Sequence, residues 1–189
     1  MKLLPLDTPE LVFLAAEWLA RKENYQWLDF GSIVTPALLK IMAQRDAHFL
    51  RVYTWGRDDR PIGIVGLNSV DRAFKTGTLW AVAGEKSFSN RGYVSLASSK
   101  LLTLAFRDLG LHVVDTWIVD RNPSVRSLER LNFRFIGRQR QCHHRRPAIR
   151  SSVVRSPRER APGARRGPVA SGGKSASPDG LRSSLSPTT

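Results

Sequence analysis

The sequence predicts a mixed α/β domain, a largely antiparallel sheet flanked by helices, followed by a disordered tail. Three observations predict it. Thr8-Pro9 and Thr35-Pro36 each open an apolar stripe at helical spacing. Three runs rich in β-branched and aromatic residues, 48–55, 62–67 and 78–83, follow one another across short polar turns, as in an antiparallel meander. From Gly84 onward strand-like and helical stretches alternate instead.

Each element has its own reason. Residues 2–6 suit a short first strand. Thr8 is a helix cap, Pro9 fits the first helical position and Glu10 the positive end of the dipole; Leu11, Leu14, Ala15 and Trp18 then supply the apolar face. Leu38, Leu39 and Met42 do the same after Thr35-Pro36. The turn 56–61 joins the first two long strands into a hairpin, and 71–77 leads into the third. A polar loop, 84–91, precedes a helix opening near Gly92, with Leu96, Ala97, Lys100, Leu101, Leu104 and Ala105 at helical spacing and Gly110 as its left-handed stop. Residues 112–119 read as a strand, Asn122-Pro123 as the start of a short helix to about Leu131, and 134–141 as a final strand.

Charge and composition divide the chain at the same place. The formal charge is +14, of which residues 141–189 carry ten Lys or Arg against Glu159 and Asp179. All sixteen aromatic residues precede position 141. A segment without aromatics, with Pro147, Pro157, Pro162, Pro168, Pro178 and Pro187, buries too little apolar area to offset chain entropy. The expected organisation is therefore a folded domain over 1–142 and a disordered basic tail over 143–189.

The same arithmetic excludes several classes. One cysteine, Cys142, allows no internal disulfide framework, so a reducing, cytoplasmic setting is expected. The longest apolar run, 11–16, is far short of a membrane span, and Pro5, Asp7 and Glu10 interrupt any secretory signal. Cys142-His143-His144 cannot close a tetrahedral metal shell from three adjacent residues, and no second cluster exists in the sequence, so no metal is expected. Nucleic-acid binding by the tail is the main rival function, but no aromatics are interleaved for base stacking. Trp18, Trp27, Trp80 and Trp117 read as core or pocket walls.

The chemistry concentrates in the strand–loop–helix unit 78–105. A strand running into a glycine-containing loop at a helix start leaves backbone amides free, and with the helix dipole they suit a phosphate or diphosphate. Gly92 relieves the turn and permits close approach; Arg91 adds positive charge.

The run Arg91-Gly92-Tyr93-Val94-Ser95-Leu96-Ala97, continuing through Leu101–Phe106 to Leu109-Gly110-Leu111, resembles the acyl-coenzyme A motif of GNAT acetyltransferases, closest to the RimJ/RimL-like branch with its R-G-x-G-Y-A-T-E-A wording. Ser124–Phe133 resembles the second motif of that family, N-x-x-S-x-R-x-L-E-K-L-G-F, and 61–67 its G-x-I-G-L strand. The resemblance covers residues 1–142. It implies acetyl-CoA as co-substrate and a primary amine, on a protein N-terminus or a small molecule, as acceptor, with a homodimer as an open alternative to a monomer. The strand at 78–83 would lie beside the pantetheine arm through Ala81, Val82 and Ala83, and an amide at Val82 or Ala83 would polarise the thioester carbonyl. Ser89, Asn90, Arg91, Gly92, Tyr93 and Val94 would cradle the diphosphate, with Asn122 also near the cofactor. The amine would attack directly, catalysis resting on orientation and oxyanion stabilisation, and Ser124 would protonate the departing thiolate. The alternative use of Ser124 is as a helix cap.

Departures from the family wording bear on the site. Ser89 stands where Gln or Arg is usual, Val94 where a glycine or alanine is usual and would crowd the diphosphate if it points inward, Leu96 in the Glu slot and Arg121 in the Asn slot. Asn132 replaces a glycine, which its tolerance of positive φ accommodates. Glu85, Asp71 and Asp115 are candidate general bases, each with a solvated surface carboxylate as the plainer reading. The resemblance also implies further strands after residue 141. Their expected absence reads as a non-native, frame-shifted ending from about His143, with a catalytically dead binding module as the corresponding alternative to an active enzyme.

Overall fold

A computed structural model describes residues 1–28, 30–119, 122, 124–143 and 146–154. Seven strands form one sheet in the order β1-β2-β3-β4-β5-β7-β6. β1 (Leu3–Pro5), β2 (Phe49–Trp55), β3 (Arg60–Asp71) and β4 (Thr76–Ala83) are antiparallel neighbours. β4 and β5 (Val113–Val119) form a parallel pair. β6 (Arg134–His143) and β7 (Arg146–Val154) are antiparallel, and β7 lies between β5 and β6.

Both Thr-Pro starts form as their sequence dictates. α1 (Pro9–Ala20) is capped by Thr8, whose hydroxyl accepts the Leu11 amide at 3.4 Å, and α3 (Pro36–Ala43) by Thr35, which accepts the Leu38 amide at 3.2 Å. Between them sits a one-turn helix, α2 (Lys22–Tyr25), too short to leave a periodic signature. α4 (Tyr93–Arg107) ends near Gly110, which takes the expected positive φ of 67°. α5 (Val125–Arg130) is shorter than expected and closes at Asn132, whose φ is 60°.

The pleat of the sheet sorts side chains onto two faces. Val65, Leu67, Leu79 and Val114 pack with Leu101, Ala105 and Phe106 of α4. Leu50, Val52, Ile64 and Val82 pack with Ala15, Trp18 and Leu19 of α1 and Leu39 of α3. Fully burying each large side chain is worth about 1.5–3 kcal/mol, so the strand alternation fixes which helix covers which face.

β7 corrects the expectation that order ends at Gln141 and that the last strands are missing. The run Ala148-Ile149…Val153-Val154 pairs with all of β5, Val113 opposite Val154 through Val119 opposite Ala148. The prolines and arginines around it mask its β-branched content. Pro147, which lacks an N–H for the ladder, falls beyond the β5 register and within an irregular stretch of the β6 pairing, where it breaks no regular bond. A domain boundary at 142 therefore falls inside the β6–β7 hairpin. The expected tail beyond Val154, and with it most of its basic charge, lies outside the described residues, as does His144.

Candidate active site

The parallel pair β4–β5 holds together only at Thr76–Val113, Gly77–Val114 and Thr78–Asp115, although β4 continues to Ala83 and β5 to Val119. Two side-chain bonds fasten the point where they part. Thr78 Oγ1 donates to Asp115 Oδ1 at 2.7 Å, and Thr116 Oγ1 donates to Leu79 O at 2.8 Å. The carboxyl ends of splayed parallel strands make a crevice, the usual ligand site of open α/β sheets. Here the crevice is a cavity of about 410 Å³.

Its lining comes from both faces of the sheet. Ser89, Asn90, Gly92, Tyr93 and Val94 line it at the start of α4, and Asn122 and Ser124 at the start of α5; Ala81, Val82 and Ala83 line it along β4. Of the residues expected to bind the cofactor only Arg91 is not in the wall; it is exposed. Its exposure has a local cause: Gly92 turns the chain with φ 82°, and Arg91 precedes that turn.

Gly92 is the N-cap of α4, no side chain caps that helix, and a Cβ at Gly92 would meet no atom within 4 Å. The first-turn amides and the dipole of a fifteen-residue helix thus border the cavity. Val94 lines the cavity and also packs, partly buried, against the α4-side core. Tyr93 is held between Trp55 and Phe88, ring centroids 4.6 and 5.7 Å away.

The ladder register places the two candidate amides on different sides of β4. Gly84 and Glu85 N–H both donate to Ile62 O, at 2.9 and 3.0 Å, whereas Leu79 O accepts from Thr116 of β5. In an antiparallel ladder the backbone groups alternate sides, so those of Trp80, Val82 and Gly84 face β3 and those of Leu79, Ala81 and Ala83 face the cleft. Val82 lines the cavity, but its backbone is on the β3 side. Its N–H is committed to the β3 ladder, and its carbonyl also accepts the buried Tyr53 hydroxyl at 3.1 Å. Burial pushes the Tyr53 phenol up from its ordinary value, so it stays a donor. Gly63 makes that crossing feasible, since a Cβ there would collide with the Tyr53 hydroxyl.

Ser124 begins α5 but makes no side-chain capping bond. The capping is done by Asn122, whose Oδ1 accepts the Ser124 amide at 2.9 Å. Pro123, Asp120 and Arg121 are outside the described residues.

None of the three candidate bases lines the cavity. Asp71 closes the β3–β4 turn by accepting the Ala73 and Phe74 amides, both at 2.8 Å. Glu85 accepts the Trp18 indole N–H at 3.2 Å, and Asp115 accepts from Thr78. The carboxylate that does line it, among the described residues, is Glu23, on the short helix α2 that the sequence reading missed. Lys86 Nζ lies 3.0 Å from Glu23 Oε1, and that hydrogen bond holds the Glu23 carboxyl below its ordinary value. Three described tryptophans, Trp27, Trp80 and Trp117, border the cavity, whereas Trp18 is fully buried.

The sequence profile of the acetyltransferase (GNAT) domain matches residues 3–134. The chain belongs to the GNAT acetyltransferase family. It is an acyltransferase, of a family whose general activity is acetyl transfer to amines. No curated protein sequence is significantly similar to it. Among solved structures, the GNAT fold seen here is similar to that of spermidine N-acetyltransferase from Vibrio cholerae in complex with CoA and spermine. The two share 13% identity and a TM-score of 0.72, over 81% of this chain and 94% of that one. A mutant of the Vibrio cholerae enzyme gives 15% identity and a TM-score of 0.70, over 82% and 95%. The ribosomal-protein-S5-alanine acetyltransferase from Vibrio fischeri gives 18% identity and a TM-score of 0.66, over 78% and 89%. Such coverage leaves little of a GNAT fold unaccounted for, in keeping with the presence of β7. No described helix is long and apolar enough to cross a membrane. Among the described residues no group of three His, Cys, Asp or Glu could hold a metal ion.

Proposed function

We propose that this protein transfers the acetyl group of acetyl-CoA to a primary amine by direct attack, in the manner of the RimJ/RimL-like and polyamine branches its fold resembles, and that it works in the cytoplasm. The observation that carries the reading is the splay of β4 from β5 beside a helix start whose N-cap is a bare glycine. A thioester nucleotide needs both features: free strand amides for an extended pantetheine arm, and a positive helix end for a diphosphate.

Acetyl-CoA, when bound, supplies the acetyl group in activated form. The amides of Gly92, Tyr93 and Val94 would hold its diphosphate, and the cleft-facing backbone of Ala81 and Ala83 its pantetheine arm. The cleft-facing Ala83 N–H would polarise the thioester carbonyl as a fixed donor. Ser124, with its hydroxyl uncommitted to capping, would carry the proton for the departing thiolate. Glu23, kept ionised by Lys86, is suited to attract the ammonium form of the acceptor rather than to deprotonate it at neutral pH. The amine would lose its proton through water.

The test is calorimetric titration with acetyl-CoA followed by thiol release over a panel of primary amines. Binding together with amine-dependent thiol release supports the reading. No binding of acetyl-CoA ends it, and steep salt-dependent affinity for DNA or RNA in its place favours a nucleic-acid role.

A further inference from the structure

The acceptor side of the cavity is built of aromatic rings. On β4 the pleat sends Leu79 and Ala81 toward α4 and Trp80 and Val82 toward α1. On β5, Val114 and Ile118 belong to the α4 side, which turns Trp117 to the α1 side as well. Trp80 and Trp117 thus flank the splay on the face opposite the diphosphate loop. Phe30 meets Trp80 edge to face, centroids 5.2 Å apart and planes at 87°. Trp27 and Leu28 complete the wall, and Asn24, which precedes them, is pinned by its side-chain amide donating to Trp18 O at 2.8 Å. The Glu23 carboxylate, paired with Lys86 through Oε1, is also in the lining.

From this placement, and resting on the acetyltransferase reading above, we infer that the acceptor is a small primary amine with a flat, apolar body, an arylalkylamine, rather than a polyamine or a protein N-terminus. A planar body gains from stacking and edge-to-face contacts with such walls beyond the area it buries. The polar lining of the cavity comes largely from other residues, among them Ser89, Asn90, Asn122 and Ser124, which leaves this wall to an apolar body. The single ammonium finds its counter-charge at Glu23. In the reaction the ammonium first loses one proton to solvent. The amine nitrogen then forms the new bond to the acetyl carbon, and the carbon–sulfur bond breaks. The sulfur takes a proton through Ser124 and leaves as free thiol, the nitrogen's second proton replacing it.

The experiment compares kcat/KM for 2-phenylethylamine and tryptamine with that for putrescine, spermidine and a short peptide with an N-terminal alanine, using the full chain and saturating acetyl-CoA. The arylalkylamines are expected to exceed the others by at least about tenfold, the scale of one well-placed apolar contact. Trp27→Ala should raise KM for the arylalkylamines while leaving acetyl-CoA affinity by calorimetry unchanged, which also shows that the variant is folded. Equal or better use of spermidine or of the peptide overturns the inference and leaves the acetyltransferase reading standing. Binding of acetyl-CoA without turnover of either arylalkylamine also overturns it. Failure to bind acetyl-CoA at all removes the reading on which it rests.

Discussion

The indole of Trp18 fills the space that a Cβ on Gly84 would need. Its Nε1 donates to Glu85 Oε1 at 3.2 Å, and one turn later Arg21 Nη1 donates to Gly84 O at 2.6 Å. α1 is thereby locked onto the residue that follows β4, next to the cleft-facing Ala83. A helix on one side of the sheet sets the position of a strand end that the cofactor would read from the other side.

Gly84→Ala should therefore destabilise the fold, because Trp18 is fully buried and cannot retreat. Overpacking of this kind costs about 1–3 kcal/mol. Chemical denaturation should show a lower midpoint with an unchanged slope. Acetyl-CoA affinity should fall at the same time, since the end of β4 must shift.

Gly92→Ala places a Cβ at a φ of 82°. Space is not the obstacle there, but left-handed backbone costs a non-glycine residue about 1–2 kcal/mol. Acetyl-CoA titrated into this variant should bind at least several-fold more weakly. Arg91→Ala, at an exposed position outside the cavity wall, should change the dissociation constant by less than about fivefold, as for other exposed ionic contacts. Equal losses from the two substitutions would put the diphosphate outside the helix start.

How far the sequence alone reached follows from these positions. The Thr8 and Thr35 caps, the left-handed Gly110 and Asn132, and the strand–loop–helix unit around Gly92 were legible because each rests on local backbone chemistry. β7 was hidden because its pairing partners lie on β5 and β6, and arginines and a proline obscure a β-branched run. Glu23 was hidden because a four-residue helix has no periodicity, and its place at the cavity depends on how that helix packs. The choice of Ala83 over Val82 needed the ladder register, which no local pattern carries.

Ser124→Ala should lower kcat by about 10²-fold if the hydroxyl supplies the thiolate's proton, the usual scale of general acid catalysis. KM for the amine and affinity for acetyl-CoA should stay unchanged. Stability should also hold, because the capping bond at this helix start is made by Asn122 and not by the serine side chain. A thermal melt beside single-turnover kinetics checks both parts.

Glu23→Gln should raise KM for amines with little change in the acid limb of the rate profile. Hydrogen bonding from Lys86 holds the carboxyl below its ordinary value, so it is ionised throughout the neutral range and cannot set a limb there. The rise in rate with pH should instead follow deprotonation of the acceptor ammonium. A limb that moves or disappears in Glu23→Gln would make this carboxylate the base.

Tyr53→Phe removes a buried hydroxyl that donates to Val82 O at 3.1 Å. The loss should be about 1 kcal/mol at neutral pH. The pH dependence is the sharper signature. Burial raises the folded-state pKa of this phenol above its ordinary value of 10.0, so the folded state holds the proton where the unfolded chain has begun to lose it. Its contribution is therefore fully present below pH 10.0 and is lost as the pH rises toward the folded value. Denaturation midpoints taken across the alkaline range should fall more steeply for the parent protein than for Tyr53→Phe, and the gap between the two should narrow as the pH climbs. Parallel curves would mean that the Tyr53 hydroxyl is open to solvent and does not tie β2 to the end of β4.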